Sequence, residues 1–123
     1  MESERIILAL AALAQPTRLD CFRLLVKHEP DGLPAGEIAA ALAVPHNTMS
    51  AHLAVLARAG LVRSRRESRS IIYRADLAVL QQMTLFLLKD CCGGRPEVCA
   101  PVIDSLTPCC PPAKEKRRVR SRV

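Results

Sequence analysis

GEIAAALAVPHNTMSAHLAVLARAGLVRSRRESRSIIYR, residues 36–74, is the stretch that decides the fold. Residues 37–42 place apolar side chains on one helical face. Pro45 then interrupts the pattern, because proline cannot continue a helix but suits the first turn of the next one. In the second helix the apolar residues recur at i, i+4 and i+7, as Met49, Leu53 and Leu56. Gly60 is expected to end this helix, and the alternation after it predicts a β-hairpin.

The face of the second helix opposite the apolar stripe, at ~100° per residue, carries small and hydrogen-bonding side chains. Such side chains suit a helix that lies in the major groove of DNA. The candidate DNA-binding residues on this helix are therefore His46, Asn47, Thr48, Ser50, Ala51 and His52. Two alternatives stay open: Thr48 and Ser50 are also typical capping residues, and His52, at the border of the stripe, also fits a structural histidine.

Arginine is concentrated in the predicted hairpin, since residues 58–74 contain six arginines and Glu67 as the one acid. The formal charge of +6 otherwise lies at the C-terminus, where residues 114–123 carry +5 and the remaining chain carries +1. A nearly neutral domain with one basic strip is the pattern expected for contact with DNA phosphates. The alternative is a charged hairpin that only solvent contacts. The candidate phosphate-binding residues are Arg63, Arg65, Arg66 and Arg69.

The composition indicates one small, mainly helical domain. Of its 123 residues 50% are hydrophobic but only 2% are aromatic, so the core must be aliphatic. No segment reaches the ~20 apolar residues that a membrane span needs, and Glu2 and Glu4 stand where a signal peptide carries positive charge. We therefore expect a cytoplasmic protein whose six cysteines are reduced thiols.

The remaining segments complete a domain of residues 1–90. Pro16 begins a helix whose inward residues are expected to be Leu19, Phe22, Leu25 and Val26. Residues 29–32, EPDG, have the composition of a turn, and residues 33–34 are strand-like. Asp76 is expected to cap a last helix, with an inward stripe formed by Leu77, Leu80, Met83, Thr84, Leu87 and Leu88. Residues 91–123, rich in cysteine, proline and basic residues, form a separate tail.

This order of elements, with TMSAHLAVLARAGLV (residues 48–62) and RRESRSIIYRA (residues 65–75), resembles the winged helix of ArsR/SmtB-type bacterial repressors. The resemblance extends back to QPTRLDCFRLL, residues 15–25. It implies a mainly α fold with a small β-hairpin, a winged helix-turn-helix that forms a homodimer through its first and last helices. It also implies a repressor that binds double-stranded operator DNA and is not an enzyme, with neither a membrane nor a protein substrate as partner. Ser68 stands where the family usually has glycine at the tip of the hairpin, so we expect a looser turn there.

Five of the six cysteines lie in residues 91–110: Cys91, Cys92, Cys99, Cys109 and Cys110. Adjacent cysteines make poor disulfide partners, since the bridge requires Cα atoms roughly 4.4–6.8 Å apart and neighbours start near ~3.8 Å. As thiolates they are good ligands for a soft ion. Gly93 and Gly94 let the chain turn so that Cys99 approaches the preceding pair. Three thiolates suit trivalent arsenic or antimony better than zinc, which prefers four ligands.

The resemblance narrows the choice of ligand. The best-known arsenic sensors of this family bind through cysteines at the start of the first motif helix, where this chain reads GEIAA, residues 36–40. Its zinc sensors use Asp and His on the last helix, which has no histidine here. Only the C-terminal cysteines remain, and in this the chain resembles the family members whose trithiolate site lies beyond the last helix. We therefore expect trivalent arsenic (arsenite) or antimonite to release the repressor from DNA by binding Cys91, Cys92 and Cys99, whereas methylarsenite would need only the two thiols of Cys91 and Cys92.

Other interpretations of the cysteines stay open. Cys109 and Cys110 form a second site, act as auxiliary ligands or are idle. The tail is either thiol-rich without a metal, or binds zinc or cadmium with one of these two cysteines as fourth ligand. A thiol-redox or persulfide sensor would pair Cys21 with Cys91 or Cys92, although Cys21 sits on an apolar helical face and fits a buried residue. A thiol enzyme or metal buffer is disfavoured, because no histidine lies near the cysteines and the acids Asp90 and Glu97 alone do not make a nucleophile–base pair.

Overall fold

The chain forms five α-helices and a small sheet within the residues that the computed structural model describes, which are 2–89, 101 and 105. Contacts divide the chain into two units, Met1–Phe86 and Leu87–Val123. The elements follow in the order α1 Ser3–Leu13, α2 Pro16–Lys27, β1 Leu33–Pro34, α3 Ala35–Leu42, α4 His46–Arg58, β2 Val62–Glu67, β3 Ser70–Ala75 and α5 Leu77–Lys89. No helix in this described part is both long and apolar enough to cross a membrane.

The core is aliphatic, as the composition predicts. It is centred on α3 and α4. The largest fully buried side chains are Leu25, Ile38, Met49, Leu53, Leu56 and Leu61, with Cys21 among them. Burying a side chain of this size contributes roughly 1.5–3 kcal/mol. The helix-turn-helix prediction for residues 36–60 is therefore confirmed, including the i, i+4, i+7 stripe of α4.

The sheet has its strands in the order β1-β3-β2, and all pairs are antiparallel. The β2–β3 register places Val62 opposite Ala75 and Arg63 opposite Arg74, which confirms the predicted hairpin. The two strand-like residues predicted before α3 also form a strand. Leu33 pairs with Tyr73, so that a third strand secures the hairpin to the helical core.

Chain reversals occur where the sequence predicts them. Gly60 has φ +81° directly after α4, which a residue without a side chain adopts at low cost. The hairpin turns at Ser68, whose φ of +55° is the left-handed conformation that glycine would adopt without strain. Asp76 caps α5 as predicted, since its Oδ1 accepts hydrogen bonds from the backbone N–H groups of Ala78 and Val79 at 3.1 and 3.3 Å.

Two helices depart in part from the predicted inward faces. Leu19 in α2 is 42% exposed, although the pattern placed it in the core. In α5 Met83 from the predicted stripe is buried as expected, but Val79 from outside the stripe is buried too, and Leu77 from the stripe is 43% exposed. The helix is apolar on nearly every side, and so its hydrophobic pattern does not select one face. Packing against the rest of the domain makes that selection.

Candidate nucleic-acid interface

The outward face of α4 carries most of the predicted DNA-binding residues. Because Met49, Leu53 and Leu56 are fully buried, the orientation of this helix is fixed and its opposite side faces solvent. His52 is half-buried, which agrees with its place at the border of the stripe. The exposed residues are His46, Asn47, Thr48, Ser50 and Ala51.

The N-terminus of α4 does not use the predicted hydroxyl caps. Its N-cap residue is Pro45, which offers no side-chain hydrogen bond. The Oδ1 atom of Asn47 instead accepts a bond from the Thr48 N–H at 2.9 Å. Within residues 2–89 no hydrogen bond occupies the hydroxyl of Thr48 or Ser50, so both are available for an external partner.

The hairpin, which we call the wing, comprises β2, β3 and the turn at residues 68–69. Residues directly opposite in an antiparallel pair share one face of the sheet. The inner wing face continues from the buried pair Val62 and Ala75 and consists of Ser64, Arg66, Ile71 and Tyr73. The outer wing face consists of Arg63, Arg65, Ile72 and Arg74. The four predicted arginines are thereby separated: Arg66 lies on the inner face, Arg69 in the turn, and the other two on the outer face.

A groove of about 320 Å³ joins the start of α4 to the wing. It brings together three predicted residues from separate elements, namely His46, Ser50 and Arg69. It also contains residues that the sequence analysis missed, among them Ile71, which is 43% exposed. Only the strand register could have placed Ile71 beside α4, since the apolar run SIIYR does not show which isoleucine turns inward.

Ion pairs distinguish the two groups of arginines. Each outer-face arginine meets a carboxylate: Arg63 Nε lies 3.2 Å from Asp76 Oδ2, Arg65 Nε lies 2.9 Å from Glu67 Oε2, and Arg74 Nη2 lies 2.8 Å from Glu29 Oε1. A second bond, from Arg74 Nε to Glu29 Oε2 at 3.1 Å, makes that pair bidentate, and these bonds raise the pKa of Arg74.

Arg66 and Arg69 form no ion pair with any residue in the part of the chain that the structure describes. Among residues 2–89, they are therefore the wing cations with no anion to displace before they meet a phosphate. The wing thus presents its unpaired positive charge at its tip and on its inner face, next to the groove.

The cysteines fall into two groups. Cys21 in α2 is fully buried, and burial raises the pKa of its thiol to about 11. The predicted metalloid ligands Cys91, Cys92 and Cys99, and the additional Cys109 and Cys110, lie outside the described residues. Within the described part of the chain no group of three or more His, Cys, Asp or Glu side chains is placed to hold a metal ion.

Comparison with known proteins gives consistent matches. Residues 13–65 match a family model described as a helix-turn-helix domain. The chain is 30% identical over 93 residues to the transcriptional activator HlyU of Vibrio cholerae, covering 76% of this chain and 83% of that protein.

Solved structures match over a similar span. The homodimeric winged helix-turn-helix DNA-binding domain of Mb0332 from Mycobacterium bovis, a possible ArsR-family transcriptional regulator, has a TM-score of 0.59 at 27% identity, covering 73% of this chain and 82% of that one. A possible transcriptional regulator for arsenical resistance has a TM-score of 0.57 at 33% identity, covering 64% of this chain and 79% of that one.

Proposed function

Because the chain belongs to the ArsR family of winged-helix, DNA-binding transcriptional regulators, we propose that it is a metalloid-responsive repressor. It binds operator DNA as a dimer and leaves the DNA when trivalent arsenic, antimony or methylarsenite binds its C-terminal cysteines. The observation that supports DNA binding most directly is the groove that brings His46, Ser50 and Arg69 to one surface.

The arrangement of this surface suits a duplex. The exposed side of α4 offers an imidazole, an amide and two hydroxyls, which hydrogen-bond base edges or phosphates in the major groove. Arg66 and Arg69 extend the same surface along the wing as unpaired cations, which are suited to the phosphate backbone beside the groove. We therefore assign recognition of the DNA sequence to α4, and affinity for the DNA phosphate backbone to the inner face and tip of the wing.

Removing the two unpaired cations tests this assignment. We expect the double variant Arg66→Gln with Arg69→Gln to bind the operator more weakly and with less dependence on salt. Each lost phosphate contact lowers the slope of log K against log[salt] by about 0.9, or about 1.8 for both. Fluorescence anisotropy at several salt concentrations measures this slope. The matched comparison is Arg65→Gln, since Arg65 is already paired with Glu67. A loss of about 0.9 in that single variant, the value for one phosphate contact, would contradict the assignment.

Exposed apolar side chains on α1 and α5 support a dimer. Ile7 and Leu8 are 65% and 53% exposed, and Leu85 is 62% exposed. Large apolar residues clustered on the surface of a small protein are typical of an interface. A second copy would cover them and would place two α4 helices for successive turns of DNA, as an inverted repeat requires. Analytical ultracentrifugation should therefore give the mass of a dimer, and a monomer at micromolar concentration would rule this arrangement out.

The inducer proposal rests on the chemistry of the cysteines in the sequence. The pattern CC-x6-C, residues 91–99, supplies three thiols, which are soft donors when deprotonated. The similarity to a possible regulator for arsenical resistance is in keeping with this ligand. Arsenic bound here releases DNA only if its affinity differs between the free and the DNA-bound protein. A coupling of ~1–3 kcal/mol gives a 5–150-fold change in operator affinity.

Titrating the complex with candidate inducers tests the proposal. The protein is bound to the labelled DNA upstream of its own gene, and anisotropy is followed as arsenite, methylarsenite, antimonite and zinc are added in turn. Release by the arsenicals or antimonite supports the proposal. Release by zinc alone would favour the zinc or cadmium alternative, and the absence of release by any of them would contradict metalloid control.

The thiol-redox or persulfide alternative depends on Cys21, and the structure weighs against it. A fully buried thiol with a pKa of about 11 is almost entirely protonated at neutral pH, whereas the reactive form is the thiolate. Mass spectrometry after treatment with peroxide or polysulfide is the deciding measurement. A specific crosslink from Cys21 to Cys91 or Cys92 would restore this alternative.

A further inference from the structure

Asp76 contacts two parts of the domain at once. Its Oδ1 atom accepts two backbone hydrogen bonds in the first turn of α5, from Ala78 and Val79. Its Oδ2 atom lies 3.2 Å from the Nε atom of Arg63 in β2. Asp76 is only 16% exposed at its side chain, while Arg63 is 79% exposed. One largely buried, hydrogen-bonded carboxylate therefore pairs with the guanidinium of an exposed side chain.

The position of Arg63 makes this contact relevant to DNA binding. It lies on the outer wing face, whereas the groove and the unpaired Arg66 lie on the inner face. A phosphate contact made by Arg63 would thus not depend on how α4 is seated in the major groove. Contacts of that kind strengthen binding to any duplex and carry no sequence information.

We infer that Asp76 is a positioning residue that acts through Arg63 and limits sequence-independent DNA binding. The ion pair keeps Arg63 on the outer wing face, so the phosphate contacts are made by Arg66 and Arg69. Where these two residues meet the DNA depends on how α4 is seated in the major groove. Specificity for the operator over other DNA then depends partly on a carboxylate that does not touch DNA. The inference rests on the DNA-binding part of the proposed function and is independent of the inducer.

The expected effect is modest, because the pair is partly exposed to solvent. Pairs of this kind are weak enough for a phosphate to compete with them. Freeing Arg63 should therefore tighten binding to random-sequence duplex about two- to fivefold at low salt. It should also steepen the slope of log K against log[salt] by about 0.9, the value for one added phosphate contact.

Asp76→Asn is the variant that tests the inference, because asparagine caps a helix about as well as aspartate but cannot form the ion pair. Asp76→Ser is a second variant with the same property, should the first fold poorly. Circular dichroism checks the fold of each. Binding is measured on two duplexes of equal length, one carrying the upstream DNA and one of random sequence, at several salt concentrations. We expect tighter binding to the random duplex and a lower ratio of operator to random affinity.

Repeating the substitution in an Arg63→Gln background separates this mechanism from a general charge effect. With Arg63 absent, Asp76→Asn should change random-duplex affinity by less than about 1.5-fold, since the partner it releases is gone. The inference is overturned if Asp76→Asn leaves random-duplex binding unchanged or weaker, or tightens it equally in the Arg63→Gln background. Failure of the proposed repressor function gives a different result, in which the wild-type protein does not prefer its upstream DNA over the random duplex.

Discussion

The double variant Cys91→Ser with Cys92→Ser is expected to bind operator DNA like the wild type and to lose its release by arsenite. A serine hydroxyl stays protonated at neutral pH and is a hard oxygen donor, so it does not replace a thiolate around a soft ion. Only Cys99 of the predicted three ligands would remain. In the wild type, arsenite is expected to lower operator affinity about 5–150-fold. In the double variant this loss of affinity should almost disappear. Anisotropy of labelled operator DNA during an arsenite titration measures both properties in one experiment.

The matched control is Cys109→Ser with Cys110→Ser, which removes an equal number of thiols from the same tail. If the site consists of Cys91, Cys92 and Cys99, this control keeps its response to arsenite. A protein shortened before Asp90 provides a second comparison and should bind DNA without being released. The proposed site is wrong if either the Cys91 and Cys92 variant or the shortened protein dissociates at the wild-type arsenite concentration.

Among the glycines in residues 2–89, Gly32 is the one whose substitution by alanine is expected to destabilise the domain most. A Cβ atom at this position would lie 2.5 Å from the backbone oxygen of Tyr73 and 2.7 Å from Cγ of Arg74. The residue also has φ +76°, which disfavours any side chain. Overpacking costs about 1–3 kcal/mol and the left-handed conformation about 1–2 kcal/mol, so the free energy of unfolding should fall by about 2–5 kcal/mol. Urea unfolding at a fixed protein concentration measures this loss.

Two other glycines separate the causes of that loss. Gly60 has φ +81° but nothing within 4 Å of an added Cβ, so Gly60→Ala should show the conformational cost alone, about 1–2 kcal/mol. Gly36 lies in the first turn of α3 and an added Cβ would approach only His46, at 3.9 Å, so Gly36→Ala should be neutral or slightly stabilising. If the three substitutions had equal effects, close packing of Gly32 against β3 would not be the reason for its cost.

The local pattern was sufficient wherever one face of an element differed clearly from the other. In α4 the apolar residues Met49, Leu53 and Leu56 stand on one side and polar or small residues on the other, so burial and exposure both followed from the sequence. The hairpin could be predicted equally well, because the residue pattern alternates along its strands and Gly60 precedes them. The arginine content of residues 58–74 likewise pointed to the wing as a basic surface.

Where an element is apolar or charged all around, the pattern did not choose between its faces. The α5 helix offers leucines in several directions, and contacts in the folded domain selected Val79 and Met83 for the core. Similarly, Arg63, Arg65 and Arg66 are close neighbours in the sequence and look alike. The strand register and the carboxylates of Asp76 and Glu67 decide that Arg63 and Arg65 are the ones neutralised.

The sequence by itself determined the order of helices and strands, the exposed face of α4 and the basic character of the wing, since each depends on spacing within a few residues. It also supplies the cluster of thiols on which the inducer proposal depends. Only the tertiary structure decided which wing arginines are unpaired, that β1 secures the hairpin, and that Asp76 reaches Arg63. Those outcomes require residues far apart along the chain to meet at distances near 3 Å, and no short-range pattern encodes such a meeting.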